Sequence, residues 1–275
     1  MHLKNTVFAA VTSLSAYLLP ALAGAQAAAD ERPSFNIHSS SGVQAEQGLS
    51  VVLQNDGEAQ FEVFLPELLV QMAREANRGT IAMVPALGHV VVLPMPDFVL
   101  AAPEQLPLIS ERKTDDHRVF DLLPAGSTAR NFKRVHGLSV KKGRDGLKAE
   151  DDARAGLAGL EAVCLPDMSG YQYEQRDSSG RGVLLTACAN FNSTTARELD
   201  PSIRGTVDIS MSYVIGDTAF RFYSIHRSGS WNPEESAPPL AEAEVQAVVA
   251  LLDKVMIFEG IDENTLAAAF LMAEN

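Results

Sequence analysis

The feature that most constrains the fold of this chain is a run of strict alternation. Val207, Ile209, Met211, Tyr213 and Ile215 alternate with Asp208, Ser210, Ser212 and Val214, which is the period of a strand with one buried face. Gly216-Asp217 follows, a pair able to take the positive φ values of a two-residue hairpin loop, and Phe220, Phe222 and Tyr223 supply a second β-prone run. A two-residue loop also fixes the register. Ile215 faces Thr218, Tyr213 faces Phe220, Met211 faces Phe222, Ile209 faces Ser224 and Val207 faces His226, all on one face. The other face holds Asp208, Ser210, Ser212, Arg221 and Tyr223, and reads as the solvated side of an antiparallel sheet covered on one face by helices.

Upstream, Tyr171 and Tyr173 alternate with polar residues, Asp177-Ser178-Ser179-Gly180 reads as a turn, and Val183, Leu185, Ala187 and Ala189 form another stripe that puts Cys188 on the opposite face. Cys164 is the only other cysteine. It follows a predicted helix at Glu150–Val163 and precedes Pro166. Whether the two cysteines are joined depends on compartment.

Residues Met1–Ala27 carry Lys4, an apolar run from Val7 to Leu22 broken by Pro20, and the small-residue patterns Ala23-Gly24-Ala25 and Ala25-Gln26-Ala27. This is the pattern of a secretory signal peptide; the run is too short and too interrupted for the alternative, a membrane anchor. An exported chain meets an oxidising compartment, so a Cys164–Cys188 disulfide is expected, worth about 3 kcal/mol for a loop of that length. Two separate buried thiols are the alternative.

The formal net charge is −13, and removing the signal takes away Lys4 and no acid. Phosphate backbones and anionic lipid surfaces are held by clustered Lys and Arg, so no nucleic-acid partner and no membrane span after signal removal are expected. Lys133-Arg134, Lys141-Lys142 and Arg144 form the one basic cluster and read as a solvated face.

In chain order, 1–27 is read as signal peptide and 28–47, rich in Ala, Ser and Gly, as a flexible leader. Residues 48–110 form a smaller N-terminal β-β-α-β lobe. In it, Val51 and Leu53 pair with Phe61, Val63 and Leu65 through the Asn55-Asp56-Gly57 turn, and Pro66 opens a helix with Leu68, Leu69, Met72 and Ala76 on one face and Gly79 at its end. Prolines 85, 94 and 96 divide the next apolar stretch into strands Thr80–Val84 and His89–Leu93, with a third at Phe98–Ala101. Pro103–His117 turns to prolines and charges and marks a lobe boundary. Residues 111–275 form a C-terminal α+β domain, with or without a core shared with the lobe. It contains a strand near Val119–Leu123, a short helix from Ser127 or Thr128 to Arg134, and a strand over Val135–Val140. A helix opened by Pro238-Pro239 follows, with Ala241, Val245, Val248, Val249, Leu252, Val255 and Met256 on one face, then a last helix over Asp262–Ala273.

The run Pro124-Ala125-Gly126-Ser127-Thr128 with Phe132, then Cys164, Cys188, and Ile215-Gly216-Asp217 with Phe220 and Arg227, resembles an arrangement in small uncharacterised exported α+β proteins of Gram-negative bacteria. It spans Val119–Met256 and departs from that pattern at Phe132, where tryptophan is usual. The resemblance implies a secreted α+β fold with one disulfide and brings no activity or catalytic residues.

No chemistry-bearing motif stands out. His38, His89, His117, His136 and His226 make no metal-ligand spacing with each other or with cysteine, and Asp115-Asp116-His117 reads as a hydrophilic loop; no metal and no cofactor are expected. There is no Ser in a nucleophile elbow; Ser169-Gly170 and Ser228-Gly229-Ser230 read as loops, Gly180-Arg181-Gly182 is too short for a phosphate loop, and Asn192-Ser193-Thr194 matches a glycosylation acceptor. His226, at the end of the apolar face beside Arg227 and close to Trp231, suggests a ligand site at the end of the sheet from His226, Arg227, Trp231 and Arg221. The expectation is an exported, non-enzymatic module that binds an envelope protein or small ligand. The alternative is an envelope hydrolase with dispersed residues around His226, drawing on Asp208 and Arg221.

Overall fold

The computed structural model describes residues 36–39, 48–55, 59–96, 108–124, 126–128, 130–143, 148–176, 181–261 and 263–273, with side chains at 67–96, 111–261 and 264–273 within those ranges. The expected signal peptide, the Asp56-Gly57 and Asp177–Gly180 turns and the strand at Phe98–Ala101 lie outside them. The strands are β1 (Asn36–Ser39), β2 (Gly48–Asn55), β3 (Ala59–Pro66), β4 (Ile81–Ala86), β5 (His89–Pro94), β6 (Leu108–Lys113), β7 (His117–Leu123), β8 (Arg134–Lys142), β9 (Ser169–Gln175), β10 (Gly182–Cys188), β11 (Gly205–Ile215), β12 (Thr218–Ser228) and β13 (Met256–Glu259). The helices among the described residues are α1 (Glu67–Asn77), α2 (Ala149–Val163), α3 (Ser193–Glu198), α4 (Glu242–Leu252) and α5 (Glu263–Ala273). The class is α+β with antiparallel sheets, as expected.

The chain divides into two compact units, Pro96–Lys254 in one and the residues up to Met95 with Val255–Asn275 in the other. The sequence reading placed the division at 110/111 and ran the second domain to the C-terminus. Two features mislead it. The charged segment after Pro107 is not a linker but the edge strand β6, whose Glu111, Arg112 and Lys113 are exposed. Val255 and Met256, which continue the helical stripe of α4 by spacing, lie past its end at Leu252: Val255 belongs to the connection and Met256 opens β13.

In the first unit one sheet has the order β1-β13-β5-β4, and β2-β3 form a separate ladder. β1 pairs with β13 inside the segment expected to be a flexible leader. Leu69, Val70 and Ala73 of α1 pack with Val90, Val92, Phe258, Leu266, Ala268 and Ala269 in its core. Gly79, at φ +76°, closes α1 as expected: its N–H donates to Ala76 O at 2.9 Å. Pro85 is tolerated within β4 because β4 is a sheet edge.

The second unit is built on a seven-stranded antiparallel sheet of order β6-β7-β8-β12-β11-β10-β9. The β11–β12 register is the expected one, from Ile215↔Thr218 to Val207↔His226. The turn differs in detail: Gly216 alone has positive φ, +57°, the arrangement in which glycine takes the first central position. Among the described residues of 127–134 no helix forms; Phe132 N–H donates to Thr128 O in a single turn, and Arg134 already belongs to β8.

The apolar face packs Leu138, Val140, Phe220, Phe222, Ile209 and Met211, each fully buried, under α4, whose Val248, Val249 and Leu252 are buried and whose Glu244 pairs with Arg134 at 3.2 Å. The face expected to be solvated is covered as well. Ser210 and Ser212 are 1% and 3% exposed, Ser212 Oγ donates to Asp152 Oδ2 of α2 at 2.6 Å, and Arg221 runs beneath Gly156 of the same helix. These polar residues are interior because each finds a partner there. The disulfide Cys164–Cys188 ties the end of α2 to β10, with Cα atoms 5.8 Å apart.

Candidate functional site

The register divides the residues proposed from sequence. Arg221 lies on the α2 side, where Nη2 donates to Asp208 Oδ2 at 2.9 Å. Burial pushes the Asp208 carboxyl up and Arg221 opposes it. His226 lies on the α4 side, so it cannot act together with Asp208 and Arg221 on one substrate. Arg227, next along the strand, points back to the first face, where its guanidinium sits 3.6 Å above the Phe132 ring. Burial lowers its pKa to about 10. Phe132 thereby takes up a cation–π contact.

His226 Nε2 is 2.9 Å from Ser224 Oγ, which is 3.5 Å from His136 Nε2 on its other side. A serine against an imidazole is the beginning of an acyl-transfer site, yet Ser224 has 0% exposure, so no substrate reaches it. Burial lowers the pKa of His226, with Arg134 adding to the shift and Glu244 opposing it. His136 is lowered to about 3, by burial first and then by His226 and Arg134. Both rings serve as neutral packing at the margin of the core.

Trp231 is the proposed residue that lines a cavity. A cleft of about 450 Å3 is bounded by Trp231, the Asp167–Gly170 corner, Ala187 and Ala189, and the segment Pro233–Pro238. Each wall has a local cause. The indole lies over Gly205, where an added Cβ would meet Trp231 Cζ3 at 2.4 Å and Cys188 O at 2.7 Å, so only glycine lets the ring settle against the sheet. Trp231 N–H donates to Ala189 O at 3.3 Å. Asn232 shapes the opposite wall: its side chain accepts from Glu234 N–H at 3.1 Å and its carbonyl from Glu235 and Ser236 N–H. Asp167 turns the chain into β9 with φ +63°, a left-handed value that aspartate accepts more readily than most residues.

The row Gly170↔Ala187↔Val207↔His226↔Arg134 crosses the sheet in register. His226 therefore stands on the same face as the cleft but two strands from Ala187, about 10 Å at ordinary strand spacing. Ser169-Gly170 and Pro238, read from sequence as loop and helix start, prove to be cleft walls. The signal that could have found the cleft is the lone tryptophan beside a proline- and acid-rich segment. Asn192, the glycosylation acceptor by pattern, caps α3: Oδ1 accepts from Thr195 N–H at 3.0 Å and Nδ2 donates to Ala162 O at 2.9 Å. Among the described residues no three His, Cys, Asp or Glu side chains are grouped to hold a metal ion, and no helix is long and apolar enough to cross a membrane.

The chain matches no family model and no curated protein. Among solved structures, the Saccharomyces cerevisiae Ran-binding protein Mog1p is similar over 63% of this chain and 91% of its own, at 12% identity and a TM-score of 0.38. A likeness that loose carries no argument about what this chain does.

Proposed function

We infer that this chain is an exported, non-enzymatic module of the cell envelope that holds a protein segment or small ligand in the cleft beneath Trp231. The observation carrying this reading is the cleft itself: its volume is in the range of ligand sites, and a single aromatic anchor closes one wall. Export is supported by the Cys164–Cys188 disulfide, a bond that reducing compartments seldom sustain. The hydrolase alternative loses support because its candidate groups are spent elsewhere: Ser224 is sealed, and Asp208 and Arg221 bind each other behind the sheet.

The test uses the one tryptophan of the chain as reporter. Gly170→Leu adds an apolar side chain at the cleft wall, where a new Cβ has nothing within 4 Å. The protein is titrated with fractions of its own envelope extract while Trp231 emission is followed. A saturable change in the wild type that Gly170→Leu abolishes is the expected result. Turnover of a generic ester or peptide that His226→Ala removes, or a ligand indifferent to Gly170→Leu, overturns the reading.

A further inference from the structure

The seven-stranded sheet has two edges of unlike character. β6 carries exposed Glu111, Arg112 and Lys113, the charged edge by which sheets avoid pairing with other chains. β9 has the sequence Ser-Gly-Tyr-Gln-Tyr-Glu-Gln with neither lysine nor proline, every residue but Tyr173 is exposed, and Tyr171 is 63% exposed. Its ladder is bracketed by two bonds, Ala189 N–H to Met168 O at 2.7 Å and Arg176 N–H to Arg181 O at 3.0 Å. With the β9–β10 register, these bonds turn the backbone groups of Gly170, Gln172 and Glu174 toward β10. Those of Ser169, Tyr171 and Tyr173 point outward, where β9 ends the sheet.

The cleft opens at the start of this edge, since Ser169 and Gly170 belong to both. Of the charged residues that line it, Asp167, Glu234 and Glu235, none is basic. A strand laid against β9 would place the residue opposite Gly170 on the face shared by Gly170 and Ala187, and so into the cleft. There it would meet carboxylates together with the Trp231 ring, a setting that selects a cation.

We propose that β9 receives an extended peptide segment of a partner protein as an eighth strand, with a Lys or Arg of that segment seated in the Trp231 cleft. The proposal rests on the cleft being the ligand site and adds how the ligand's backbone is held. Main-chain bonds to Ser169, Tyr171 and Tyr173 supply affinity and the cleft supplies selectivity, the division of labour seen in strand addition. Tyr171 and Tyr173, alternating with the cleft-facing positions, favour β-branched or aromatic partners opposite them.

The probe is a random ten-residue peptide library selected on the immobilised, disulfide-intact protein. Selected peptides should share one Lys or Arg flanked by alternating β-branched or aromatic residues, and should lack proline in that core. N-methylation of alternate backbone amides should abolish binding in one phase and spare it in the other, because only every second amide faces β9. Tyr171→Pro removes an outward N–H and no bond to β10, and should weaken binding at least about tenfold with thermal stability retained. Gly170→Leu should do the same from the cleft wall. Peptides insensitive to N-methylation and to Tyr171→Pro but lost with Gly170→Leu overturn strand addition and leave the cleft reading standing. Peptides lost with Tyr171→Pro but indifferent to Gly170→Leu overturn the cleft reading. Selection of no peptide or of acidic ones, or a dimer of the free protein that Tyr171→Pro dissociates, overturns the proposal.

Discussion

His136 is 8% exposed and flanked by Ser224, His226 and Arg134, with Glu244 of α4 beyond Arg134. Its pKa falls from 6.5 in a solvated chain to about 3 in the fold. The unfolded chain therefore takes up the proton first. The stabilisation is complete above about pH 6.5 and drains away as the pH falls toward 3. Unfolding free energies from urea titrations should fall between pH 7 and pH 4.5 more for the wild type than for His136→Asn, by on the order of 2 kcal/mol; an equal fall would show that folding does not lower the pKa of the ring. On the other face Tyr223 crosses Gly137 to donate to Asp121 at 2.5 Å, and Arg112 holds the other oxygen at 3.1 Å. Gly137→Ala puts a Cβ 2.3 Å from Tyr223 Cζ. It should cost about 1–3 kcal/mol by displacing that ring, read as a lowered melting temperature, and the added Tyr223→Ala should recover part of the clash.

At the scale of elements, α2 offers a matched comparison. Both Gly156 and Gly159 lower its helix propensity, yet only Gly156 has a reason to be glycine, since a Cβ there meets Arg221 Nη1 at 2.5 Å while nothing lies within 4 Å of position 159. Gly159→Ala should stabilise by about 0.5–1 kcal/mol, whereas Gly156→Ala should gain nothing or lose, in guanidinium denaturation of the two variants. The β11–β12 pairing could be read in advance because period-two alternation and a two-residue loop leave a single register. The polar face could not, because Ser210, Ser212 and Asp208 look the same in sequence whether water satisfies them or Leu184 O, Asp152 and Arg221 do. Nor could the cleft, whose walls are mostly backbone corners at Asp167 and Asn232; Trp231 alone advertised it. The β1–β13 pair was hidden by distance along the chain, which leaves no local trace in either segment.

For the molecule as a whole, the disulfide and the division into units make separable predictions. Reducing Cys164–Cys188 should lower stability by about 3 kcal/mol, confined to the unit holding α2 and β10, as amide exchange in the oxidised and reduced protein would record. Ending the chain at Lys254 removes β13 from between β1 and β5 and takes α5 from the first core. Exchange protection should then vanish over 67–95 and persist over 134–142 and 205–228. Protection that survives in the first segment would show that α1, β4 and β5 suffice without β13. The same arrangement sets an order of events during synthesis. The first unit lacks the strand that joins β1 to β5 until the chain beyond Lys254 has been made, whereas every strand of the seven-stranded sheet is by then already synthesised and can pair first.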